Sequence, residues 1–204
     1  MHDAMAHWDQ IYCEKQPHEV SWTQPLPQTS LGFIRDGGLA KTANIIDVGG
    51  GESKLVDFLL EDGFQKISVL DISSQALQKA RERLGDKARQ VSWIVSDILE
   101  FKPKEKFDGW HDRAMFHFLT AEEKIKKYVG LATKHIKSGG FLIMGAFSLN
   151  GPDKCSGLNI KQYSPDLLRK LFAEGFELIE SGIEDHITPF DTKQNFVFCR
   201  FKRK

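Results

Sequence analysis

The chain has 204 residues, of which 41% are hydrophobic, 11% aromatic and 27% charged. That length and balance suit one globular domain that buries about 70% of its unfolded surface without help from a metal or disulfide. Lys plus Arg and Asp plus Glu each total 28, and a formally neutral chain argues against nucleic acid as the main partner.

The three cysteines, Cys13, Cys155 and Cys199, are too scattered for a disulfide framework or a zinc site, so no metal is expected. The opening MHDAMAHWDQ is charged where a signal peptide needs an apolar run. No apolar stretch approaches the ~18 residues that span a bilayer. The expectation is a reducing cytoplasm and no membrane partner. The basic tail, Arg200, Lys202, Arg203 and Lys204, is expected to be solvated.

Residues 1–43 differ from the rest. A short helix is predicted over 7–15, with Trp8, Ile11 and Tyr12 at helical spacing. An extended segment follows to Pro27, then a second helix over 29–36. From residue 44, short apolar runs alternate with amphipathic ones. Strands are predicted at 44–48, 66–70, 91–95, 107–112, 140–147, 176–183 and 195–201. Helices are predicted at 53–62, 74–84, 121–137 and 164–174. Ser73 or Ser74 can cap the second of these, Thr120 and Glu123 can form a capping box for the third, and Ser164-Pro165 opens the fourth. Such alternation implies an α/β fold with a mostly parallel sheet and helices on both faces. The last two strands lack an intervening helix and should pair antiparallel. A single domain over 1–204 is expected, with an arm at 1–43, a central half at 44–147 and a second half at 148–204.

The first strand runs into Asp47-Val48-Gly49-Gly50-Gly51-Glu52-Ser53. A strand, a glycine turn and a helix bring backbone N–H groups close to a ligand. The loop lacks the Gly-Lys-Ser/Thr ending of a phosphate loop. A dinucleotide fingerprint would place a third glycine where Lys54 stands. A carboxylate at Asp47 suits a ligand with a cationic group, such as the sulfonium and ammonium of S-adenosylmethionine. Asp71 lies 24 residues further on, at the end of the second strand, where a carboxylate can accept from ribose hydroxyls. After the third strand, Asp97 can accept from an adenine amine while Ile98 packs on the ring. Three acidic strand ends side by side mark the carboxyl edge of the sheet as the ligand edge.

The fourth strand ends in His111, Asp112 and Arg113, which a buried parallel strand tolerates only if they are partnered. They either pair with each other or the loop to order the turn, or face a second substrate. His117, one helical turn beyond Arg113, has the pKa range of a general base.

Taken together, IIDVGGGES, VLDIS, VSDILEF, FDGWHDRAMFHFL and SGGFLIMGAF resemble the class I S-adenosylmethionine-dependent methyltransferases over residues 44–204. Ser53 stands at the family's third glycine position. The resemblance implies a Rossmann-like seven-stranded sheet with an antiparallel final strand. It implies that Asp47, Gly49, Gly50 and Gly51 hold the methionine moiety, Asp71 and Ile72 the ribose side, and Asp97 and Ile98 the adenine. S-adenosyl-L-homocysteine would be the product. Residues His7-Trp8-Asp9 with Tyr12, and Ser21-Trp22-Thr23-Gln24, are similar to the leading segment of a bacterial subgroup whose acceptor is unassigned. They are also loosely similar to lysine methyltransferases that begin Trp-Asp-x-x-Tyr. On that likeness Trp8 and Tyr12 cover the cofactor, and Trp22 lines the acceptor pocket with His111, Cys155 and Tyr163. Residues 148–163 would form a lid. The expected catalytic residues are Asp112, Arg113 and His117. The expected activity is in-line methyl transfer to a small thiol or other heteroatom nucleophile, by a monomer or homodimer. The alternatives are lysine methylation, or cofactor binding without catalysis.

Overall fold

The structure, a computed structural model, describes residues 2–204. Seven strands form the sheet: β1 (Asn44–Val48), β2 (Lys66–Asp71), β3 (Val91–Val95), β4 (Phe107–Arg113), β5 (Ile136–Phe147), β8 (Phe176–Ile187) and β9 (Lys193–Arg203). Their order is β3-β2-β1-β4-β5-β9-β8. Strand β9 pairs antiparallel with both β5 and β8, and the pairs from β3 to β5 are parallel. The last strand therefore inserts between its two partners as the one reversed strand. This is the expected Rossmann-like α/β sheet.

Helices α2 (Gln28–Asp36), α3 (Leu55–Glu61) and α4 (Ser74–Leu84) cover one face, with Leu31, Ile34, Leu59, Leu77 and Phe198 in their core. Helices α5 (Glu122–His135) and α6 (Pro165–Phe172) cover the other, over Trp110, Tyr128, Phe172 and Phe201. Each of these large apolar side chains contributes about 1.5–3 kcal/mol by leaving water. The caps at Ser73 and Ser164 form as expected, accepting from the N–H groups of Ala76 and Leu167.

Three expectations need correction. The Thr120–Glu123 capping box does not form, because Ala121 occupies the cap position and offers no side-chain acceptor. Helix α5 stops at His135, since Ile136 already pairs with Phe107 at the start of β5. The basic tail is packed: Arg200 is buried and paired with Glu180, and Arg203 donates to the carbonyls of Thr133 and Gly175.

The arm is more ordered than its prolines suggest. Helix α1 (His2–Glu14) starts earlier than expected and packs on α4. Asp9 fixes it there, accepting from the Ser73 hydroxyl at 2.7 Å and the Gln75 N–H at 3.2 Å. Residues 148–163 contain a two-residue ladder, β6 (Lys154–Cys155) with β7 (Leu158–Asn159). Ser156 and Gly157 close it at φ 51° and 77°, the left-handed pair a tight hairpin turn requires. Among the described residues, no helix is long and apolar enough to cross a membrane.

Candidate functional site

A cleft of about 420 Å³ opens at the carboxyl ends of β1 to β4. Parallel strands deliver their ends to one edge, so Asp47, Asp71, Asp97 and Arg113 meet there although up to 66 residues separate them. The α1 arm roofs the cleft. Trp8, Tyr12, Trp22 and Phe118 form one aromatic cluster, with Trp8 5.8 Å from Trp22 and 5.2 Å from Phe118, ring centre to ring centre. All four line the cleft. Edge-to-face geometry of this kind adds about 0.5–1.5 kcal/mol per pair beyond area burial. Cys155, Leu158 and Asn159 of the small hairpin close another side.

The glycine loop is shaped by what a side chain would meet. Gly49 has φ +65°, and a Cβ there would lie 2.5 Å from the Met115 Cβ. Gly51 has φ +52°, and its Cβ would lie 2.5 Å from the Tyr12 hydroxyl. Both positions exclude a side chain by conformation and by space. Asp71 holds this loop: its carboxylate accepts from the Gly51 N–H at 2.9 Å and the Ser73 N–H at 2.8 Å. Burial pushes the Asp71 carboxyl up to about 6, against the pull of those N–H donors. Each carboxylate oxygen keeps a lone pair for a ligand. Asp97 caps the turn after β3, accepting from the Leu99 N–H, and Ile98 is buried beside it. Ile72 and Gly50 also line the cleft.

Strand alternation decides the fate of the His-Asp-Arg run, because successive side chains point to opposite faces. His111 and Arg113 lie toward α2 and the cleft. Asp112 points to the α5 side and is fully buried. Asp112 accepts from Tyr128 Oη at 2.7 Å and from the N–H groups of Met115 and Phe116. Tyr128 in turn accepts from Trp110 Nε1 at 3.0 Å. Asp112 therefore fixes the turn after β4, and the expectation that it faces an acceptor is corrected. An Asp112–Arg113 pair is excluded by the same alternation.

His111 sits between Asp47 and Ser30, with its ring nitrogens 2.7 Å from Asp47 Oδ1 and 2.8 Å from Ser30 Oγ. All three are nearly sealed from solvent. Asp47 is thus partnered from within the protein, and its Oδ2 lies against the glycine loop. His111 lies at the cleft floor as a support for Asp47, not as an open acceptor contact.

His117 is displaced from the cleft. It is fully buried, stacks on Phe147 at 4.5 Å and accepts from the Phe147 N–H. Burial, with Arg113 nearby, drives its imidazole down to about 3, so it stays neutral at physiological pH and cannot serve as a base to the cleft. Tyr163 is likewise a wall residue of the core, tilted against Phe116 with its N–H on the Phe147 carbonyl. His117 and Tyr163 anchor the two ends of the hairpin segment: the Lys161 N–H bonds the His117 carbonyl, and Ser148 bridges Tyr163.

Arg113 does line the cleft. Its Nη1 donates to the Trp22 carbonyl at 3.0 Å, and its guanidinium lies 4.7 Å over the Phe196 ring. Ala114 follows at φ +66°, an uncommon left-handed residue that ends β4 and turns the chain under the cleft. Cys155 has a thiol pushed up to about 11 by burial, so it is a poor nucleophile.

Sequence reasoning missed Ser30 and Glu52. Glu52 lines the cleft with Oε1 buried and unpartnered, and burial raises its carboxyl. Its place directly after the glycines was a usable signal. Ser30 carries none, since its partner His111 is 81 residues away.

Residues 45–140 match the methyltransferase-domain family. Nodulation protein S of Rhizobium tropici is 27% identical over 104 residues, which are 51% of this chain and 43% of that protein. Malonyl-[acyl-carrier protein] O-methyltransferase of Anoxybacillus flavithermus is 30% identical over 105 residues, 50% of this chain and 38% of that protein. The chain therefore spans about two fifths of the length of these curated relatives. N-methyltransferase NodS of Bradyrhizobium japonicum WM9, solved with S-adenosyl-L-homocysteine, superposes with a TM-score of 0.67 at 16% identity, covering 99% of this chain and 95% of that one. The family match runs from β1 into β5, and the fold is the one shared with that methyltransferase.

Proposed function

We propose that this chain transfers a methyl group from S-adenosylmethionine to a small acceptor through a heteroatom nucleophile. The observation that carries this reading is the row of ligand-facing groups on adjacent strand ends: the side-chain-free loop at Gly49 and Gly51, the Asp71 carboxylate, and Asp97 with Ile98. These fit the cofactor group by group. The loop accepts a close-lying chain, Asp71 accepts from hydroxyls, and the orphaned Glu52 oxygen suits a cationic or N–H donor. Nothing in the loop favours a phosphate.

When bound, the cofactor supplies an electrophilic methyl on a sulfonium. The work left to the protein is placement and exclusion of water. The aromatic roof of Trp8, Tyr12 and Trp22 supplies a dry, polarisable wall. Asp112 and His117 are buried away from the cleft, so neither is a base here. The acceptor's nucleophile is accordingly one that arrives with a free lone pair, such as a neutral amine, a thiolate or a carboxylate oxygen. The relatives named for N- and O-methylation agree with a heteroatom acceptor.

The test uses cofactor carrying a labelled methyl group, purified protein, and cell lysate split by size. Label in the small-molecule fraction supports the proposal. Label on protein would replace it with protein methylation. Absence of label together with intact S-adenosyl-L-homocysteine binding would leave a cofactor-binding module.

A further inference from the structure

The wall of the cleft holds one charged edge that no polar group of the described residues pairs. Arg113 uses only Nη1, on the Trp22 carbonyl; its Nε and Nη2 are sealed from solvent and have no hydrogen-bond partner. These two groups share one side of the guanidinium plane and form the fork that grips a carboxylate with two parallel bonds. The same chain shows this use twice. Arg35 holds Asp62 through Nε and Nη2 at 2.8 and 2.9 Å. Arg83 holds Asp57 through Nε and Nη2 at 3.1 and 2.7 Å.

No carboxylate of the described residues fills the fork of Arg113. The two whose charge it feels are Glu184 and Asp47. Glu184 is bonded to Gln24 at 2.9 Å, and Asp47 to His111 at 2.7 Å. Neither forms an ion pair with Arg113. The guanidinium is also held rigid, by the Trp22 carbonyl at one corner and the Phe196 face beneath it. A fixed, desolvated donor pair is costly when empty and already ordered for a ligand.

Its position separates it from the cofactor's side. The acidic strand ends belong to β1, β2 and β3, while Arg113 leaves β4 and reaches across β5 to Phe196 on β9. We infer that the methyl acceptor carries a carboxylate, gripped by the free Nε and Nη2 edge of Arg113 beside Trp22 and Cys155. This rests on reading the cleft as a methyl-transfer site. The same chemistry could be supplied by the cofactor's own methionine carboxylate, and the test separates the two sources.

The probes are acetate, benzoate and phenylacetate, each paired with its neutral amide, titrated by calorimetry into the protein with and without saturating S-adenosyl-L-homocysteine. At least one acid should bind about tenfold or more tighter than its amide, the scale of a buried charge-paired contact. In Arg113→Gln that preference should vanish, while in Arg113→Lys, which keeps the charge but loses the fork, part of it should remain. S-adenosyl-L-homocysteine affinity should change less than about threefold in Arg113→Gln. Equal binding of acids and amides by the unmodified protein overturns the inference. So does a tenfold or larger loss of S-adenosyl-L-homocysteine affinity in Arg113→Gln, which would give the fork to the cofactor. If S-adenosyl-L-homocysteine fails to bind at all, the methyl-transfer reading falls, and the acid preference of the ligand-free protein still reports on the fork. If Arg113→Gln fails to fold, the acid preference of the unmodified protein and its reduction in Arg113→Lys decide the matter.

Discussion

Replacing Asp71 by Ala should weaken S-adenosyl-L-homocysteine binding far more than it weakens the fold. The carboxylate makes two bonds to backbone N–H groups, from Gly51 and Ser73. Two charge-assisted bonds of this kind are worth about 3–4 kcal/mol together. Against that stands the cost of keeping the charge buried. With those bonds already counted, a carboxyl raised from 3.8 to about 6 is disfavoured in its ionised form by about 3 kcal/mol at neutral pH, at about 1.4 kcal/mol per pKa unit. Alanine relieves that net cost but leaves the Gly51 and Ser73 N–H groups without their acceptor, about 1–3 kcal/mol each, so the two effects oppose and the net change in stability is small. The ligand loses two hydroxyl contacts to an anion, about 1.5–3 kcal/mol, or about 10- to 150-fold in Kd. Thermal unfolding and calorimetric titration on the same preparation separate the two effects. Affinity unchanged within about threefold would refute the ribose assignment. A large fall in Tm would show that Asp71 is chiefly a loop anchor and that the cancellation argued above is wrong.

The remaining expectations concern the same cleft and its supports. Ligand hydroxyls prefer the ionised form of Asp71, so S-adenosyl-L-homocysteine affinity should fall as pH drops through about 6, and binding near that pH should release protons, which calorimetry in buffers of different ionisation enthalpy detects. Asp112→Ala leaves the Tyr128 O–H donor and two N–H groups without their acceptor in the core and should destabilise the fold by about 2–4 kcal/mol, while the folded fraction binds S-adenosyl-L-homocysteine within about threefold of the unmodified protein. His117→Gln should leave the methyl-transfer rate of the folded enzyme within about threefold, and a hundredfold loss would restore the general-base assignment that its burial argues against.

The sequence carried the parts of this molecule that depend on one-dimensional patterns. Strand ends, glycine turns and cap residues are local, and β1 to β5 fall within a residue or two of their expected places except where Ile136 extends β5 by pairing with Phe107. Asp47, Asp71 and Asp97 could be read as neighbours because each lies at or just past a strand end, and parallel topology alone brings such ends together. The placement of Asp112 and His117 is not legible in spacing, because it depends on which face a side chain takes. His111, Asp112 and Arg113 were grouped as neighbours in sequence, yet the pleat sends Asp112 to Tyr128 and leaves the other two toward α2. His117 was placed by helical spacing, but the segment after β4 is a single tight turn, which swings its ring onto Phe147. Alternation was available from the start: on a strand buried on both faces, adjacent polar residues have separate partners.

That separation gives the polar end of β4 a physical logic. A charged residue in a buried strand must be met by a donor or acceptor from outside the sheet. Asp112 is met by α5 and the turn, and His111 by Ser30 of α2 and Asp47 of β1. Arg113 is met in part, by a carbonyl of the arm and an aromatic face of β9. Each contact ties a different layer to the same strand end: α5 on one face, α2 on the other, and the arm above. Removing the ring contacts of Trp22, while its carbonyl stays on Arg113, should therefore loosen the roof without touching the sheet. Shortening Trp22 to Ala keeps its carbonyl but breaks the ring contacts to Trp8 and Tyr12. Truncating a buried aromatic of this kind costs about 3 kcal/mol where it is fully packed and less at a half-exposed position such as this. Because the loss falls on the arm, hydrogen exchange should quicken in residues 4–24 while the amides of β1, β4 and β5 keep their protection. Faster exchange across β4 as well would mean that arm and sheet open together, and that the roof is part of the fold rather than a cover laid on it.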